Sequence, residues 1–325
     1  MKDLAIVGLG FGGKNLVGAI QGASEDVRFT AGVVRRPDAN RAFAERRQLR
    51  LTTDYAEVLA APDIDGIVLA TPDSAHPDQV IAAARAGKPV LVEKPFALNR
   101  ASADRAMAAA RECRTLVAFA HNRRFLPAVR EIHARIQSGA LGKLLHIAGN
   151  FSSNYGLRFQ EGMWRANRAE TVAGGMTGMG IHQIDLMIHL AGQAKSVHAK
   201  GLRQVLSVDV DDNITMLLDF ANGMTGTFTT LITTSPIWRL SVFGTKGWVE
   251  MIGENRLLTC DGNGPVHEIV YPPANTERLE LEAFAQAIGG GAPYPITVEE
   301  ALHGVSILES ITESIRSHQV VAIAP

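Results

Sequence analysis

The most constraining feature of this sequence is a run of closely spaced glycines that directly follows a short apolar segment. Residues 4–7 read Leu-Ala-Ile-Val, and Gly8-Leu-Gly10-Phe11-Gly12-Gly13 comes next. A short, continuous apolar run is typical of a parallel strand buried on both faces. The spacing GxGxxG between such a strand and a helix predicts a tight turn that holds the pyrophosphate of a dinucleotide on the helix N-terminus. The alternative is a glycine-rich connector without a ligand.

The first third of the chain alternates between predicted strands and predicted helices. The strands after the first are predicted at 27–34, 64–70, 90–92 and 116–119, and the helices at 12–21, 41–48, 77–86 and 101–111. Alternation at this spacing is typical of a doubly wound parallel sheet. Residues 1–121 are therefore predicted to form a dinucleotide-binding Rossmann domain of the α/β class.

The pattern changes beyond residue 121. Helices are predicted at 125–137, 277–288 and 298–317, and strands at 144–151, 196–202, 214–220, 224–232, 237–243 and 248–252. Asn222-Gly223 lies between two of these strands and is a hairpin signal. Residues 122–325 are therefore predicted to form an α+β domain with a large, mostly antiparallel open sheet.

Composition excludes several classes of protein. Lys and Arg number 32 and Asp and Glu 33, so the net charge of −1 gives no basic field for nucleic acid or an anionic membrane. No segment has the ~18 uninterrupted apolar residues of a membrane-spanning helix, and the start lacks the solid apolar run of a signal peptide. Neither Cys113 nor Cys260 lies in a CxxC or Cys/His cluster, so no metal site is expected. A cytoplasmic location follows as the expectation.

The residues after the second predicted strand bear on cofactor preference. An acid about 20 residues beyond the glycines binds the adenosine ribose 2′-hydroxyl of NAD. This sequence has Val34-Arg35-Arg36-Pro37 there. Guanidinium groups pair bidentately with phosphate, so Arg35 and Arg36 predict NADP, with both on its 2′-phosphate. The alternative is that both arginines are solvated, with Asp38 on a ribose and NAD as the cofactor.

Glu93-Lys94-Pro95 follows the strand at 90–92. Ligands of parallel sheets bind beyond the carboxyl ends of the strands, so Lys94 is placed where substrate and nicotinamide could meet. Its ammonium group could stabilise negative charge that develops on a reacting oxygen. The alternative is an exposed loop lysine.

The motifs together resemble one family. The glycine turn, Ala70-Thr71-Pro72 with His76, and Glu93-Lys94-Pro95 are similar to the glucose–fructose oxidoreductase/inositol dehydrogenase (Gfo/Idh/MocA) family. The similarity continues through the segments 121–125, 164–165, 174–185 and 243–247, and it covers essentially the whole chain.

The resemblance implies hydride transfer between a nicotinamide and an alcohol carbon of a sugar, polyol or related small molecule, with Lys94 as the usual catalytic residue. The residues expected to bind the cofactor are Gly8, Gly10, Phe11, Gly12, Gly13, Arg35, Arg36, Ala70, Thr71, Pro72, His76, Glu93, Lys94, Asn122, Trp164 and Arg165. The residues expected to bind the substrate are Lys94, Arg123, Tyr155, Arg165 and His182.

His182 is the second catalytic candidate. An imidazole titrates near neutrality, so it could accept the hydroxyl proton as hydride leaves. The alternative is a histidine at a helix start that is satisfied by the backbone. Many family members carry an aspartate four residues earlier, in a DxGxH pattern, and this sequence has Gly178 there.

Two further functions stay open. One is a non-catalytic, dinucleotide-dependent sensor, which the absence of an acid at Gly178 favours. The other is a sugar hydrolase or lyase that uses tightly bound NAD transiently. The resemblance also implies that the open sheet packs against another subunit, so a homodimer or homotetramer is expected.

Overall fold

The computed structural model describes residues 1–325, and their strands divide between a six-stranded and a nine-stranded sheet. The chain forms two compact units. The first unit consists of Met1–Ala97, Ala101–Asn122 and Asn275–Ala301. The second unit consists of Leu98–Arg100, Arg123–Ala274 and Leu302–Pro325.

The sheet of the first unit is parallel throughout. Its strands are β1 (Lys2–Val7), β2 (Val27–Val33), β3 (Arg50–Thr52), β4 (Gly66–Leu69), β5 (Val90–Glu93) and β6 (Val117–Ala120). Their order is β3-β2-β1-β4-β5-β6, which confirms the predicted doubly wound Rossmann sheet. The strand order reverses between β1 and β4, and ligands of such sheets bind at that point, beyond the carboxyl ends of the strands.

Helices connect these strands. They are α1 (Phe11–Ile20), α2 (Arg41–Arg47), α3 (Tyr55–Ala60), α4 (His76–Arg85) and α5 (Arg100–Glu112). The central strands are buried on both faces, and every residue of β4 is inaccessible or nearly so. Neither β3 nor α3 is predicted from the sequence. A three-residue strand that begins with the exposed Arg50 and a six-residue helix are both too short to show a periodic pattern of apolar residues.

The second unit is built on a mostly antiparallel sheet. Its strands are β7 (Leu144–Ser152), β8 (Ala194–Leu202), β9 (Asn213–Phe220), β10 (Thr225–Leu231), β11 (Ile237–Gly244), β12 (Gly247–Ile252), β13 (Arg256–Asp261), β14 (Val266–Val270) and β15 (Val321–Ala322). Their order is β14-β13-β12-β11-β7-β10-β9-β8-β15, and only β7 and β10 pair in parallel. The predicted α+β architecture with a large open sheet is confirmed. Gly223, with φ of +87°, forms the predicted turn between β9 and β10.

Helices cover one face of this sheet. They are α6 (Pro127–Gln137), α7 (Ile181–Ala191) and α9 (Val298–Ser317). Their apolar side chains join those of the sheet in one core that includes Ile147, Phe228 and Leu240. The opposite face keeps exposed side chains such as Leu217 and Phe243.

A single boundary after residue 121 does not describe the division of the chain, because residues 275–301 return to the first unit. Helix α8 (Thr276–Ile288) packs on α1 and β2 there. Ser24 donates a hydrogen bond of 2.8 Å to Glu282, and the Tyr294 hydroxyl donates one of 3.0 Å to the carbonyl of Phe119. Nothing local in the sequence of α8 identifies the sheet on which it packs.

No helix combines the length and the apolar character needed to cross a bilayer. No three His, Cys, Asp or Glu side chains are grouped in a way that could hold a metal ion.

Candidate functional site

The glycine turn brings β1 and α1 of the first unit into close contact. Gly8 has φ of +97°, and a Cβ atom on it would lie 2.5 Å from the carbonyl oxygen of Ala70. A Cβ atom on Gly13 would collide with the carbonyl oxygen of Gly8. Both positions therefore require glycine for the packing of strand, turn and helix.

Gly10 and Gly12 differ from this pair, because a Cβ atom on either would meet nothing within 4 Å. Gly10 is the N-cap of α1 and gives no side-chain cap, and the first turn contains no acid. Helix N-termini with free N–H groups and open space beside them favour anions. The turn thus fits a dinucleotide pyrophosphate, and the side chain of Phe11, 82% exposed, lies beside it.

The arginine pair follows β2 at the same edge of the sheet. Arg35 and Arg36 are exposed, and neither forms an ion pair with a carboxylate. The nearby carboxylate of Asp38 accepts a hydrogen bond of 2.6 Å from Arg41. Two cations without an intramolecular counter-ion are therefore available for an external anion.

The segment after β4 is held by hydrogen bonds within the first unit. The N–H of Ala70 donates to the carbonyl of Val7 at 2.8 Å, and the Thr71 hydroxyl donates to the Gln79 side chain at 2.6 Å. Pro72, half-buried, continues the segment. Ala70, Thr71 and Pro72 thus lie next to the glycine turn that follows β1.

His76 is inaccessible to solvent and lies between two backbone segments. Its Nδ1 is 3.0 Å from the carbonyl oxygen of Pro95, and its Nε2 is 3.2 Å from that of Thr71. Carbonyl oxygens only accept, so the ring donates to one of them when neutral and to both when protonated. The imidazole therefore joins the segment after β4 to the segment after β5.

Glu93 ends β5, and Lys94 follows it in a half-buried position. The Lys94 N–H donates to the Glu93 carboxylate at 3.1 Å, and the Lys94–Pro95 peptide is cis. The glycine turn, the arginine pair, Thr71 and Lys94 all follow carboxyl ends of one parallel sheet. This shared edge is where a Rossmann sheet binds its ligand.

Asn122 follows β6 and is 8% exposed. Its amide nitrogen donates to the hydroxyl of Thr276, at the start of α8, at 3.2 Å. Its carbonyl oxygen Oδ1 is buried without a hydrogen-bond partner. The Asn122 amide thus uses its donor within the first unit and leaves its acceptor without a partner.

In the second unit, His182 lies in the first turn of α7. The preceding residues, Met176–Gly180, form a single π-helical turn that continues directly into this helix. Such turns occur often at functional sites. The His182 ring is half-buried, and its centroid is 6.3 Å from that of Phe151.

Phe151, which lies near His182, is one of two stacked rings that carry no signal in the sequence. Phe151 on β7 stacks on Trp238 of β11, with ring centroids 5.1 Å apart, and the two residues are register partners. The Arg123 guanidinium lies 5.0 Å from the Trp238 ring and donates to Glu254. No local signal marks Phe151 or Trp238, because their contact arises only from the pairing of two strands distant in sequence.

Arg124 and Asp185 form a buried ion pair within the second unit. Arg124 donates from both Nε and Nη2 to the carboxylate, at 2.7–3.1 Å. Each side chain is 3% exposed. Asp185 thus anchors the helix that carries His182 to the segment after Asn122.

Trp164 and Arg165 lie in a short 3-10 turn, Trp164–Ala166. The Arg165 guanidinium lies over the Trp164 ring at 4.2 Å. Tyr155 begins another short turn, Tyr155–Arg158, and packs edge-on against Phe159 at 5.3 Å.

Comparison with known proteins places these residues in context. The model of the oxidoreductase family with an NAD-binding Rossmann fold matches residues 2–121, and that of the GFO/IDH/MocA C-terminal domain matches residues 129–250. The chain is 28% identical to the rhizopine catabolism protein MocA of Rhizobium meliloti, over 79% of this chain and 78% of that protein. It is also 28% identical to scyllo-inositol 2-dehydrogenase (NAD(+)) of Bacillus subtilis, over 96% and 94%. The crystal structure of a putative NADPH-dependent oxidoreductase from Desulfitobacterium hafniense has the same fold, with a TM-score of 0.92, 23% identity and coverage of 98% and 97%.

Proposed function

Since this chain belongs to the Gfo/Idh/MocA family of NAD(P)-dependent oxidoreductases that act on CH–OH groups, we propose that it prefers NADP and acts on a sugar, polyol or related small molecule. The observation that carries the proposal is the shared carboxyl edge of the parallel sheet in the first unit. A glycine turn with space for a pyrophosphate, an arginine pair and Lys94 all follow strands at that edge.

The preference for NADP rests on Arg35 and Arg36. Both guanidinium groups are exposed and form no ion pair with a carboxylate, so no intramolecular bond must break before they bind a 2′-phosphate. NAD is the alternative cofactor, because the name of the similar scyllo-inositol 2-dehydrogenase specifies NAD(+).

A bound nicotinamide would accept or donate the hydride. Gly8, Gly10, Phe11, Gly12 and Gly13 would hold its pyrophosphate, and Ala70, Thr71, Pro72, Glu93 and Asn122 would line the dinucleotide, with His76 behind them. Trp164 and Arg165 are the cofactor candidates of the second unit. The fit of the turn is supported by the open space at Gly10 and Gly12.

Lys94 and His182 have complementary roles in the proposed chemistry. The Lys94 ammonium group would donate to the reacting oxygen and stabilise negative charge on it. The His182 imidazole would accept the hydroxyl proton during oxidation and return it during reduction. Arg123, Tyr155 and Arg165 are the further candidates for binding the substrate.

A substrate screen tests the proposed function. Purified protein is mixed with aldoses, cyclic polyols and nucleotide sugars, with NAD and NADP in parallel, and the absorbance of the reduced nicotinamide is followed. Turnover of at least one CH–OH compound, faster with NADP, is expected. Tightly bound dinucleotide that co-purifies without net reduction would favour the hydrolase or lyase, and dinucleotide binding without any turnover would favour the sensor.

A homodimer or homotetramer is proposed from the uncovered face of the nine-stranded sheet. Leu217 is 46% exposed and Phe243 37% exposed, and strand register places both on the face opposite the helices. Light scattering is expected to give twice or four times the monomer mass. Leu217→Glu should lower the measured mass toward that of the monomer, because it places a charge on the uncovered face. Val266→Glu, on the edge strand β14, should leave the measured mass unchanged. A wild-type monomer at micromolar concentration would contradict the proposal.

A further inference from the structure

Gly178 lies in the π-helical turn that leads into α7, four positions before His182. Residues at this spacing lie on one face of a helix. A side chain at position 178 would therefore extend on the side from which His182 projects. Because residue 178 is glycine, the helix places no side chain of its own at this position.

The hydroxyl of Tyr155 occupies this direction. A Cβ atom added to Gly178 would lie 3.2 Å from the Tyr155 Oη and 3.9 Å from its Cζ. A Cβ atom at 178 would press on the phenol, which would have to shift by a few tenths of an ångström, and a longer side chain on this side would require a larger shift. The phenol of Tyr155 is therefore the polar group on the side of the helix where a side chain at position 178 would otherwise lie.

The turn that carries Tyr155 is attached on two sides. The Ser153 hydroxyl accepts the Tyr155 N–H at 3.3 Å and contacts the Met179 sulfur at 3.2 Å. The Gly156 N–H donates to the Ile232 carbonyl at 2.8 Å, and a Cβ atom on Gly156 would lie 2.7 Å from that oxygen. These contacts pre-position the phenol against the π-helical turn, which lowers the cost of using it to orient a ligand.

A phenol differs chemically from a carboxylate. It both donates and accepts a hydrogen bond, and with a typical pKa near 10 it is neutral at working pH, whereas a carboxylate only accepts and is charged. We infer that Tyr155 binds a hydroxyl group of the substrate beside His182 and that Gly178 is small because the phenol occupies its side-chain space. This inference rests on the proposed function, because it requires a hydroxyl-bearing substrate.

The test exchanges the phenol for a carboxylate. The variants are Tyr155→Phe, Gly178→Asp and the double variant, each assayed with the sugar or polyol that the wild type oxidises fastest. Tyr155→Phe should lower kcat/KM by about two- to ten-fold, since it removes one neutral hydrogen bond to the substrate. Gly178→Asp alone should also lose activity, because its side chain meets the Tyr155 hydroxyl.

The double variant should be more active than Gly178→Asp, because removal of the hydroxyl makes room for the carboxylate. The gain over Gly178→Asp should include a lower KM for the sugar or polyol, because the restored group binds the substrate. Relief of a purely structural clash would instead raise Tm and leave KM unchanged. Tyr271→Phe removes another partly buried phenol of the second unit and serves as the control with unchanged activity.

Thermal unfolding and dinucleotide binding are measured for every variant, so that a folding defect is separated from a loss of substrate binding. Gly178→Ala should change Tm more favourably in the Tyr155→Phe background than in the wild-type background, because the contact with the hydroxyl is then absent. Wild-type kcat/KM in Tyr155→Phe, or a double variant no more active than Gly178→Asp, would overturn this inference alone. A wild type that turns over no CH–OH compound would instead overturn the proposed function.

Discussion

The imidazole of His76 lies 3.0 Å from the carbonyl oxygen of Pro95, the residue that follows Lys94. The second ring nitrogen lies 3.2 Å from the carbonyl of Thr71. A buried side chain thus links two segments that each follow a strand of the parallel sheet. His76, predicted as a cofactor residue, is placed by this geometry behind the segments expected to contact the cofactor.

His76→Ala should lower both stability and turnover. It removes a donor from buried carbonyl oxygens, at a cost of about 1–3 kcal/mol. The segment that carries Lys94 also loses a tether, so kcat should fall by about ten-fold or more. His76→Gln, which keeps an N–H donor, should recover part of kcat. Val80→Ala, in the buried face of α4, is the control: it should lower Tm and leave kcat unchanged. Equal effects of His76→Ala and Val80→Ala on kcat would contradict the proposal that His76 positions the segment that carries Lys94.

Lys94→Ala should abolish most turnover and spare dinucleotide binding. Loss of one preorganised charge at the reacting oxygen typically costs on the order of 10²–10³ in kcat. The Kd for reduced dinucleotide, measured by fluorescence, should change only a few-fold. Lys195→Ala, an exposed lysine of the second unit, should behave like the wild type. Full activity of Lys94→Ala would show that Lys94 is not a catalytic residue.

Replacing both Arg35 and Arg36 with Ala should change cofactor preference. Charge-assisted hydrogen bonds contribute about 1.5–3 kcal/mol each, so the KM for NADP should rise by at least about ten-fold. The KM for NAD should stay within a few-fold, because NAD carries no 2′-phosphate. Arg111→Ala, exposed on α5, is the matched control. A wild type that strongly prefers NAD would show the NADP assignment to be wrong.

The buried pair of Arg124 and Asp185 should be sensitive to the loss of one partner. Asp185→Asn leaves a buried guanidinium without its counter-ion, so the free energy of unfolding in urea should fall by about 3–5 kcal/mol. The double variant Arg124→Met/Asp185→Leu should cost less than the sum of its single variants. Arg316→Ala breaks an exposed pair with Glu313 and should leave the free energy of unfolding almost unchanged. Additive single effects would show that the two residues do not interact.

His303 should make stability depend on pH. It is 1% exposed and its Nε2 accepts the N–H of Ala194 at 3.0 Å, which requires the neutral ring. Burial lowers the pKa of His303 below its ordinary 6.5, and Arg100 lowers it further, while contact with the backbone of Ala324 partly opposes the shift.

Below pH 6.5 the unfolded chain therefore binds a proton at His303 that the folded chain does not. The free energy of unfolding should fall as pH drops from 6.5 toward the lowered pKa, by up to about 1.4 kcal/mol per pH unit from this group. Urea unfolding between pH 5 and 8 measures the slope, and His303→Gln should flatten it. An unchanged slope in that variant would assign the pH dependence to other groups.

Much of the first unit could be predicted from the sequence. Apolar runs identified the central strands, and the glycine spacing identified the turn after β1, because Gly8 and Gly13 each adjoin a backbone oxygen that leaves no room for a Cβ atom. The motif around Lys94 likewise placed that residue at the end of a strand. These signals are local, so a few neighbouring residues carry them.

Other features could not be predicted in this way. From the sequence, α8 is predicted to belong to the second domain, whereas it packs on α1 and β2 of the first unit. In the sequence, Gly178 is a missing acid and Tyr155 is a separate polar residue. Only the structure places the Tyr155 hydroxyl in the side-chain space of Gly178.

The sequence by itself determined the parallel α/β unit, the glycine turn and the family resemblance, because periodicity and the steric demands of single residues act over short stretches of chain. Tertiary structure alone decided the stacking of Phe151 on Trp238, the burial of Arg124 against Asp185 and the return of α8 to the first unit. These contacts join residues far apart in the chain, and they form because strand pairing and the burial of apolar surface favour one arrangement of the whole unit.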